Sequence, residues 1–269
     1  MNNKIGAAIL TCNRVDFFKQ CLASIPGVET LIVVNDGKPY DSDVYTRNVK
    51  EVIQHSSNKC VGISKNEALR YLIQDGCQHL FLIEDDMLIK NPDVFNAYIK
   101  AAEASGIWHL NFAYHGPANF KPGQYGVKNP RQIVDYENGI EIGLNPNSVG
   151  SFSYYLRGVI KSIGYMDERF QNAWEHVDHT YRIIKAGLHP PFWWFADLAN
   201  SDEYINELAS SEVNSVIRKT SEWTEGMQKG AQWYAQKHGF IPTKTPDTPP
   251  EKVLAICEDI QKKYAKKIL

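Results

Sequence analysis

Three consecutive carboxylates, Glu84, Asp85 and Asp86, follow the apolar run Leu80–Ile83. A buried strand of that composition delivers all three acids to its carboxyl end, where like charges repel and raise one another's pKa unless a cation neutralises them. A hard divalent ion, Mg2+ or Mn2+, held by one or two carboxylates and completed by substrate phosphate oxygens and water, answers that arrangement. The competing reading is a solvated acidic turn ahead of a helix.

A second group of reactive side chains runs from Asn172 to Gly187 and contains Trp174, Glu175, His176, Asp178, His179 and Arg182. On a helix, Glu175 and Asp178 share a face at i, i+3, and His179 stands one turn after Glu175, so these groups can share one site. Structural roles compete with this. Glu175 can form a capping box with Asn172, Asp178 can pair with Arg182 at i, i+4, and both histidines can be structural or exposed.

The elements that must position these groups alternate between strand and helix through the first hundred residues. Apolar runs at Ile5–Leu10, Leu31–Val34 and Leu80–Ile83, with a further one at Val52–Gln54, read as strands. Helical spacing covers Val15–Ile25 and Lys65–Gln74, the second opened by a Ser64 and Glu67 capping box. Asn91 and Pro92 read as the cap and first-turn proline of a helix to about Ser105. That rhythm predicts an α/β fold, an open, mostly parallel doubly wound sheet whose ligands gather beyond the carboxyl ends of the strands. Shorter strands are expected at Trp108–Ala113, Ile133–Tyr136 and Phe152–Leu156, among loops rich in Gly, Pro and Asn. Helices are expected at Val159–Ile163 and Glu175–Lys185, the latter stopped by Gly187. We therefore divide the chain into a sheet domain, residues 1–203, and a helical extension, residues 204–269, in which Thr243–Pro250 is a linker to a last helix, Glu251–Lys267.

Composition narrows the partners. With 43% hydrophobic residues and a formal net charge of −2 over 269 residues, the chain is an ordinary globular protein with no global pull toward nucleic acid or anionic lipid. Its five cysteines, Cys12, Cys21, Cys60, Cys77 and Cys257, are odd in number and lack paired spacing, which predicts reduced thiols and neither a disulfide framework nor a zinc site. The short apolar run at the N-terminus suits a first strand better than a signal peptide. No stretch reaches the roughly 18 apolar residues of a membrane helix. A cytoplasmic protein is expected, with peripheral attachment to a membrane left open.

The acidic strand end resembles the DxD motif of GT-A glycosyltransferases, and the order Glu-Asp-Asp followed by an apolar residue is similar to N-acetylglucosaminyltransferases of that fold. Ile9–Arg14 and the helix after it resemble the opening strand and nucleotide-binding turn of the large inverting family that includes chondroitin, hyaluronan and cellulose synthases. Val33–Gly37 is similar to that family's second strand, and Asn58–Asn66 to its Asn-x-Gly…Arg-Asn segment, with Lys65 in place of arginine. The resemblance implies that Thr11, Asn13 and Asp36 line the nucleoside pocket, and that Arg14 belongs to the same donor-binding set. It places Lys65 and Asn66 toward the ribose and diphosphate, with Glu84 and Asp85 beside them, and it makes Asp86, with Glu84, the metal ligand. Asn172–Gly187 resembles the family's Trp-Gly-x-Glu-Asp…Arg…Gly segment, where a carboxylate at a helix start is the general base. Glu175 matches the glutamate, whereas His176 stands where aspartate is usual. Glu175 is then the first candidate base, followed by Asp178 and His176.

The resemblance implies a metal-dependent transfer, with inversion, from a nucleotide sugar, UDP-linked as in the family, to a hydroxyl. A glycan, a lipid-linked glycan, a protein or a modified nucleic acid all fit as acceptor. The clustered aromatics Phe192, Trp193, Trp194 and Phe195, with Tyr154 and Tyr155, offer sugar-stacking surface or core. A further metal ligand, often a histidine downstream of the base helix in this fold, has only His189 and His238 to choose from, and neither fits. Alternatives are a nucleotide-sugar pyrophosphorylase, although Thr11–Arg14 lacks that class's glycine-rich loop, and a sugar-binding module of the same fold without catalysis.

Overall fold

The computed structural model describes residues 3–45, 48–171, 173–208 and 221–265. Its centre is a six-stranded sheet in the order β3-β2-β1-β4-β11-β6. Four of these strands, β1 (Ile5–Thr11), β2 (Thr30–Asn35), β3 (Val49–Gln54) and β4 (His79–Glu84), run parallel. Helix α1 (Val15–Ser24) connects the first two, and α2 (Val61–Gln74) leads into β4. After a short β5 (Met87–Ile89) and helix α3 (Val94–Ser105), the chain returns as β6 (His109–Asn111).

A hairpin of β7 (Phe120–Lys121) and β8 (Gln124–Lys128) precedes β9 (Gln132–Tyr136) and β10 (Ile140–Asn145). Strand β11 (Phe152–Leu156) then inserts antiparallel between β4 and β6, followed by α4 (Arg157–Ile163) and α5 (Glu175–Lys185). Strand β12 (Phe195–Leu198) joins β10 and β9 in an antiparallel sheet, and β13 (Ile205–Glu207) pairs with β5. Helices α6 (Ser221–His238) and α7 (Pro250–Tyr264) complete the described chain.

Both faces of the sheet are covered, so its strands are apolar on both sides, as parallel sheets require. On one face Ala7, Ile9, Val33, Phe81 and Ile83 pack with α3 and α7; on the other Ala8, Leu10, Ile32, Val34, Leu80 and Leu82 pack with α2, α4 and Ile183 of α5. Strand order reverses between β1 and β4, with β2 on one side and β11 on the other. Such a switch point opens a crevice at the carboxyl ends of the two strands, which are Thr11 and Glu84.

Several boundaries differ from the sequence expectation for identifiable reasons. Helix α2 begins at Val61, a full turn ahead of Lys65, behind Cys60 at a left-handed φ of 75°. Ser64 therefore lies inside the helix and donates back to Cys60 O at 3.1 Å. Glu67 makes no capping box; it reaches His55 and Lys59. In α3 the cap is Asp93, and Asn91 Oδ1 accepts from the Asp93 N–H at 3.0 Å in the preceding turn. Strand β6 is shorter than Trp108–Ala113 because the Trp108 N–H turns to Leu188 O and the Ala113 N–H to Asp197 Oδ2. Two expectations lie outside the described residues: Asn172 as a cap, and the end of the last helix at Lys267.

The C-terminal residues share the main core. Val253, Cys257 and Ile260 of α7 are buried with α3, and Gly106, at φ +73°, meets α7 so closely that a Cβ there would lie 2.7 Å from Ile260 O. Residues 243–250 are pinned rather than loose: Trp193 Nε1 donates to Thr245 O, Trp194 Nε1 donates to Asp247 Oδ1 and Thr248 O, and Arg131 stacks on Trp194. Phe192, Trp194 and Phe195 are buried, as are Tyr154 and Tyr155. No helix among the described residues is long and apolar enough to cross a membrane.

Candidate active site

Thr11 and the acidic triplet meet across the switch point. The Thr11 hydroxyl donates to Asp85 Oδ2 at 2.6 Å, and the Asp85 N–H donates to Leu10 O at 3.1 Å. Arg14, on the turn after β1, pairs with Asp85 and lies 3.1 Å from Asp86 Oδ2. Burial pushes the Asp85 carboxyl up to about 7, against the pull of Arg14, with Asp86 adding to the rise. Burial also acts on Asp86, yet His115 and Arg14 outweigh it and hold that carboxyl below its usual range.

His115 follows β6 and joins the site without any expectation from sequence. Its Nε2 lies 3.5 Å from Asp86 Oδ2 and 3.6 Å from Glu207 Oε1. Glu207 comes from β13, which pairs with β5 so that Glu207 stands opposite Met87, the residue after Asp86. Its Oε2 accepts from the Gly116 N–H at 2.8 Å. No local motif announces Glu207, because only long-range pairing brings it here. His115 escapes a reading that seeks the further ligand downstream of the base helix, since it lies upstream. His189 and His238, the candidates there, are engaged elsewhere: His189 between Pro190 O and the Ala196 N–H, His238 on Asp178.

The donor set suits a hard divalent cation. Among the described residues Asp86 Oδ1 is buried without a hydrogen-bond partner, and an acceptor left so is costly unless something cationic or protic meets it. No group of three or more His, Cys, Asp or Glu side chains among the described residues is arranged to hold a metal ion.

Asp36 follows β2 on the same rim, and its N–H donates to Thr11 O at 2.9 Å. Its Oδ1 accepts from the Lys59 N–H at 2.6 Å and faces His55 Nδ1 at 2.6 Å; His55 Nε2 in turn faces Glu67 at 2.6 Å. Asn13 holds the adjoining turn. At a left-handed φ of 56°, it accepts the Lys38 N–H at 2.8 Å. Gly37 packs on it so tightly that a Cβ would lie 2.5 Å from Asn13 Oδ1.

Lys65 is buried at the centre of the remaining group. Its ammonium lies 3.0 Å from Glu84 Oε1 and 3.1 Å from Glu175 Oε1, and it donates to Gly150 O at 3.0 Å. Burial opposes its charge, but Glu84 and then Glu175 hold the ammonium well above its ordinary pKa. Glu175 likewise stays well below the carboxylate range, since Lys65 and His176 overcome the cost of burial. His176 Nδ1 lies 3.0 Å from Glu175 Oε1. Helices α2 and α5 start side by side here: a Cβ on Gly62 would lie 2.8 Å from Phe170 O and 3.4 Å from Glu175 Cβ. Trp174, the cap of α5, takes a left-handed φ of 70°, a conformation uncommon outside glycine and concentrated at functional sites.

Two predicted site residues are placed elsewhere. Asn66 is fully buried and clamps the chain at Met166, accepting its N–H and donating to its carbonyl. Asp178 is fully buried among Arg182, Lys237 and His238, so it ties α6 to α5 rather than joining Glu175. His179 is a buried neutral ring that donates to Gly164 O and packs on Tyr155.

A mostly parallel sheet with an acidic strand end at its switch point is the arrangement of the GT-A architecture. No protein-family model and no curated protein matches the chain. Among solved structures it is similar to the mannosyltransferase PcManGT from Pyrobaculum calidifontis in complex with GDP-Man and Mn2+, with TM-score 0.56 and 13% identity over 100% of this chain and 72% of that one. It is also similar to TarS of S. aureus, with TM-score 0.54 and 15% identity over 98% of this chain, which spans 54% of TarS. Glucosyl-3-phosphoglycerate synthase from Mycobacterium tuberculosis, in complex with Mn2+, UDP and glucosyl-3-phosphoglycerate, matches with TM-score 0.51 and 12% identity, over 92% and 82% of the two chains. The likeness establishes the fold: the chain has the GT-A fold.

Proposed function

We propose that this protein is a metal-dependent glycosyltransferase that moves a sugar from a nucleotide-sugar donor, UDP-linked in our reading, to an acceptor hydroxyl with inversion. The observation that carries the proposal is the buried Asp86 Oδ1, without a hydrogen-bond partner among the described residues, beside Asp85, Arg14 and Thr11 at the switch point. Asp86 is the principal ligand we assign, with Glu207 and His115 adjoining it and Glu84 turned toward Lys65. A bound Mn2+ or Mg2+ would offset charge developing on the departing diphosphate.

This chain's own residues do the rest. Asp36 faces the nucleoside base, Asn13 and Gly37 fix the turn beneath it, and Arg14 adds a guanidinium suited to phosphate oxygens. Lys65 keeps Glu175 ionised next to the reacting centre and pairs with Glu84 on its other side. Five cysteines free of disulfides support a reducing, cytoplasmic setting.

The test is calorimetric titration of UDP-glucose, UDP-N-acetylglucosamine and GDP-mannose with Mn2+ and again with EDTA. We expect one donor to bind only with metal, and Asp86→Asn to reproduce the chelator's effect while the protein stays folded. Equal affinity in both conditions sinks the metal assignment.

A further inference from the structure

We propose that His176 is the catalytic base that takes the proton from the acceptor hydroxyl, and that Glu175 is its positioning residue. This rests on the transferase reading above and departs from a carboxylate base.

The geometry separates the two neighbours. Glu175 Oε1 is already shared between the Lys65 ammonium at 3.1 Å and His176 Nδ1 at 3.0 Å, and the Glu175 side chain is 4% exposed. The His176 side chain is 23% exposed. A base must come within hydrogen-bond reach of the hydroxyl it deprotonates, and of the two side chains only the imidazole is appreciably exposed. A carboxylate so tightly ion-paired is also a weak proton acceptor, in keeping with its depressed pKa.

Facing an ionised carboxylate, His176 Nδ1 must carry the N–H. That leaves Nε2 as the ring's acceptor, and Nε2 has no hydrogen-bond partner among the described residues. A base oriented by a third group is the recurring arrangement of activated catalytic sites. Two contacts fix the ring. Lys65 holds Glu175 in place while donating to Gly150 O at 3.0 Å, and the ring lies against Gly150, where a Cβ would sit 2.9 Å from His176 Cγ. Glu84, at the end of β4, bonds the same Lys65, so the dyad is tied directly to the acidic strand end.

In the step, the acceptor O–H bond breaks and its proton passes to His176 Nε2. The oxygen's electron pair forms the new bond to the anomeric carbon, and the bond from that carbon to the β-phosphate oxygen breaks. The nucleoside diphosphate leaves with that pair. The imidazolium, facing ionised Glu175, later releases its proton to water.

The experiment uses nucleotide release from the three donors named above with Mn2+, water serving as acceptor. His176→Gly should lower turnover on the order of 10²-fold or more, with donor affinity by calorimetry unchanged. Added imidazole should restore part of the rate, because the space against Gly150 then accepts the free ring. Glu175→Gln should slow turnover without imidazole rescue. Gly150→Ala, which displaces the ring, should slow it while donor binding holds. A His176→Gly enzyme with near wild-type turnover overturns the assignment, as does loss that imidazole fails to repair. Nitrogen NMR of labelled histidine supplies a readout independent of activity. We expect the Nδ1–H tautomer at His176 in the native protein and its loss in Glu175→Gln, and an Nε2–H tautomer in the native protein overturns the proposal. A native protein that neither binds nor hydrolyses any of the donors overturns the transferase reading and this one with it, whereas an active native protein with an active His176→Gly variant overturns only the base.

Discussion

The Lys65 ammonium lies 3.1 Å from Glu175 Oε1 in an environment that leaves Lys65 only 1% exposed, with Glu84 closing the other side at 3.0 Å. Removing one member of a buried ion pair leaves an uncompensated charge and costs about 3 to 5 kcal/mol. Lys65→Met should therefore lower the melting temperature by roughly 10 °C. An unchanged Tm would mean that Glu84 and Glu175 find other partners.

Asp178 gives the contrasting case. With Arg182, Lys237 and His238 all on its carboxylate, Asp178→Asn should destabilise the protein by about 3 kcal/mol and loosen α6 while leaving donor affinity intact. Scanning calorimetry beside donor titration separates these. Lost turnover in a variant of native stability would return Asp178 to the catalytic group.

Asp36 is remote from the sugar in the proposed pose, so Asp36→Asn should weaken UDP and UDP-sugar binding by similar factors. Isothermal titration of both ligands measures the ratio. An unchanged UDP affinity would show that Asp36 serves only His55 and the Lys59 N–H.

The buried histidines predict acid sensitivity with a definite sign. Burial depresses His189 to about 4 and His179 to about 3, below the unfolded value of about 6.5. The unfolded chain thus binds protons first, and stability is lost as pH falls from about 6.5 toward those values. Each ring costs about 2 kcal/mol by pH 5. Asp197, which burial raises to about 7, pulls the other way, so the difference between native protein and His189→Gln isolates the effect. The variant's loss between pH 7 and pH 5 should be smaller by about that amount; parallel pH profiles of Tm would refute the assignment.

Much of the fold is legible in the sequence where the signal is local. The runs Ile5–Leu10 and Leu80–Ile83 form β1 and β4, and Glu84–Asp86 is recognisable because three acids after a buried run leave few alternatives. The start of α2 lies a turn earlier than its spacing suggests, because a cysteine at positive φ leaves no mark in a sequence. Glu207 is invisible for a different reason: its place beside Asp86 depends on the pairing of β13 with β5, which no spacing encodes, and His115 reaches the same carboxylate from the segment after β6. Likewise the i, i+3 relation of Glu175 and Asp178 is correct as helix geometry, but the arrival of Lys237 and His238 from α6 decides that the two acids do different work.

The close approach of Gly106 to Ile260 O and the burial of Val253, Cys257 and Ile260 bear on how the protein is made. Chains fold as they are synthesised, from the N-terminus onward. The outer side of α3 therefore stays uncovered until residues 250–264 have left the ribosome, although every described strand of the sheet is by then complete. The acidic crevice can take shape early, while α7 closes the core behind it.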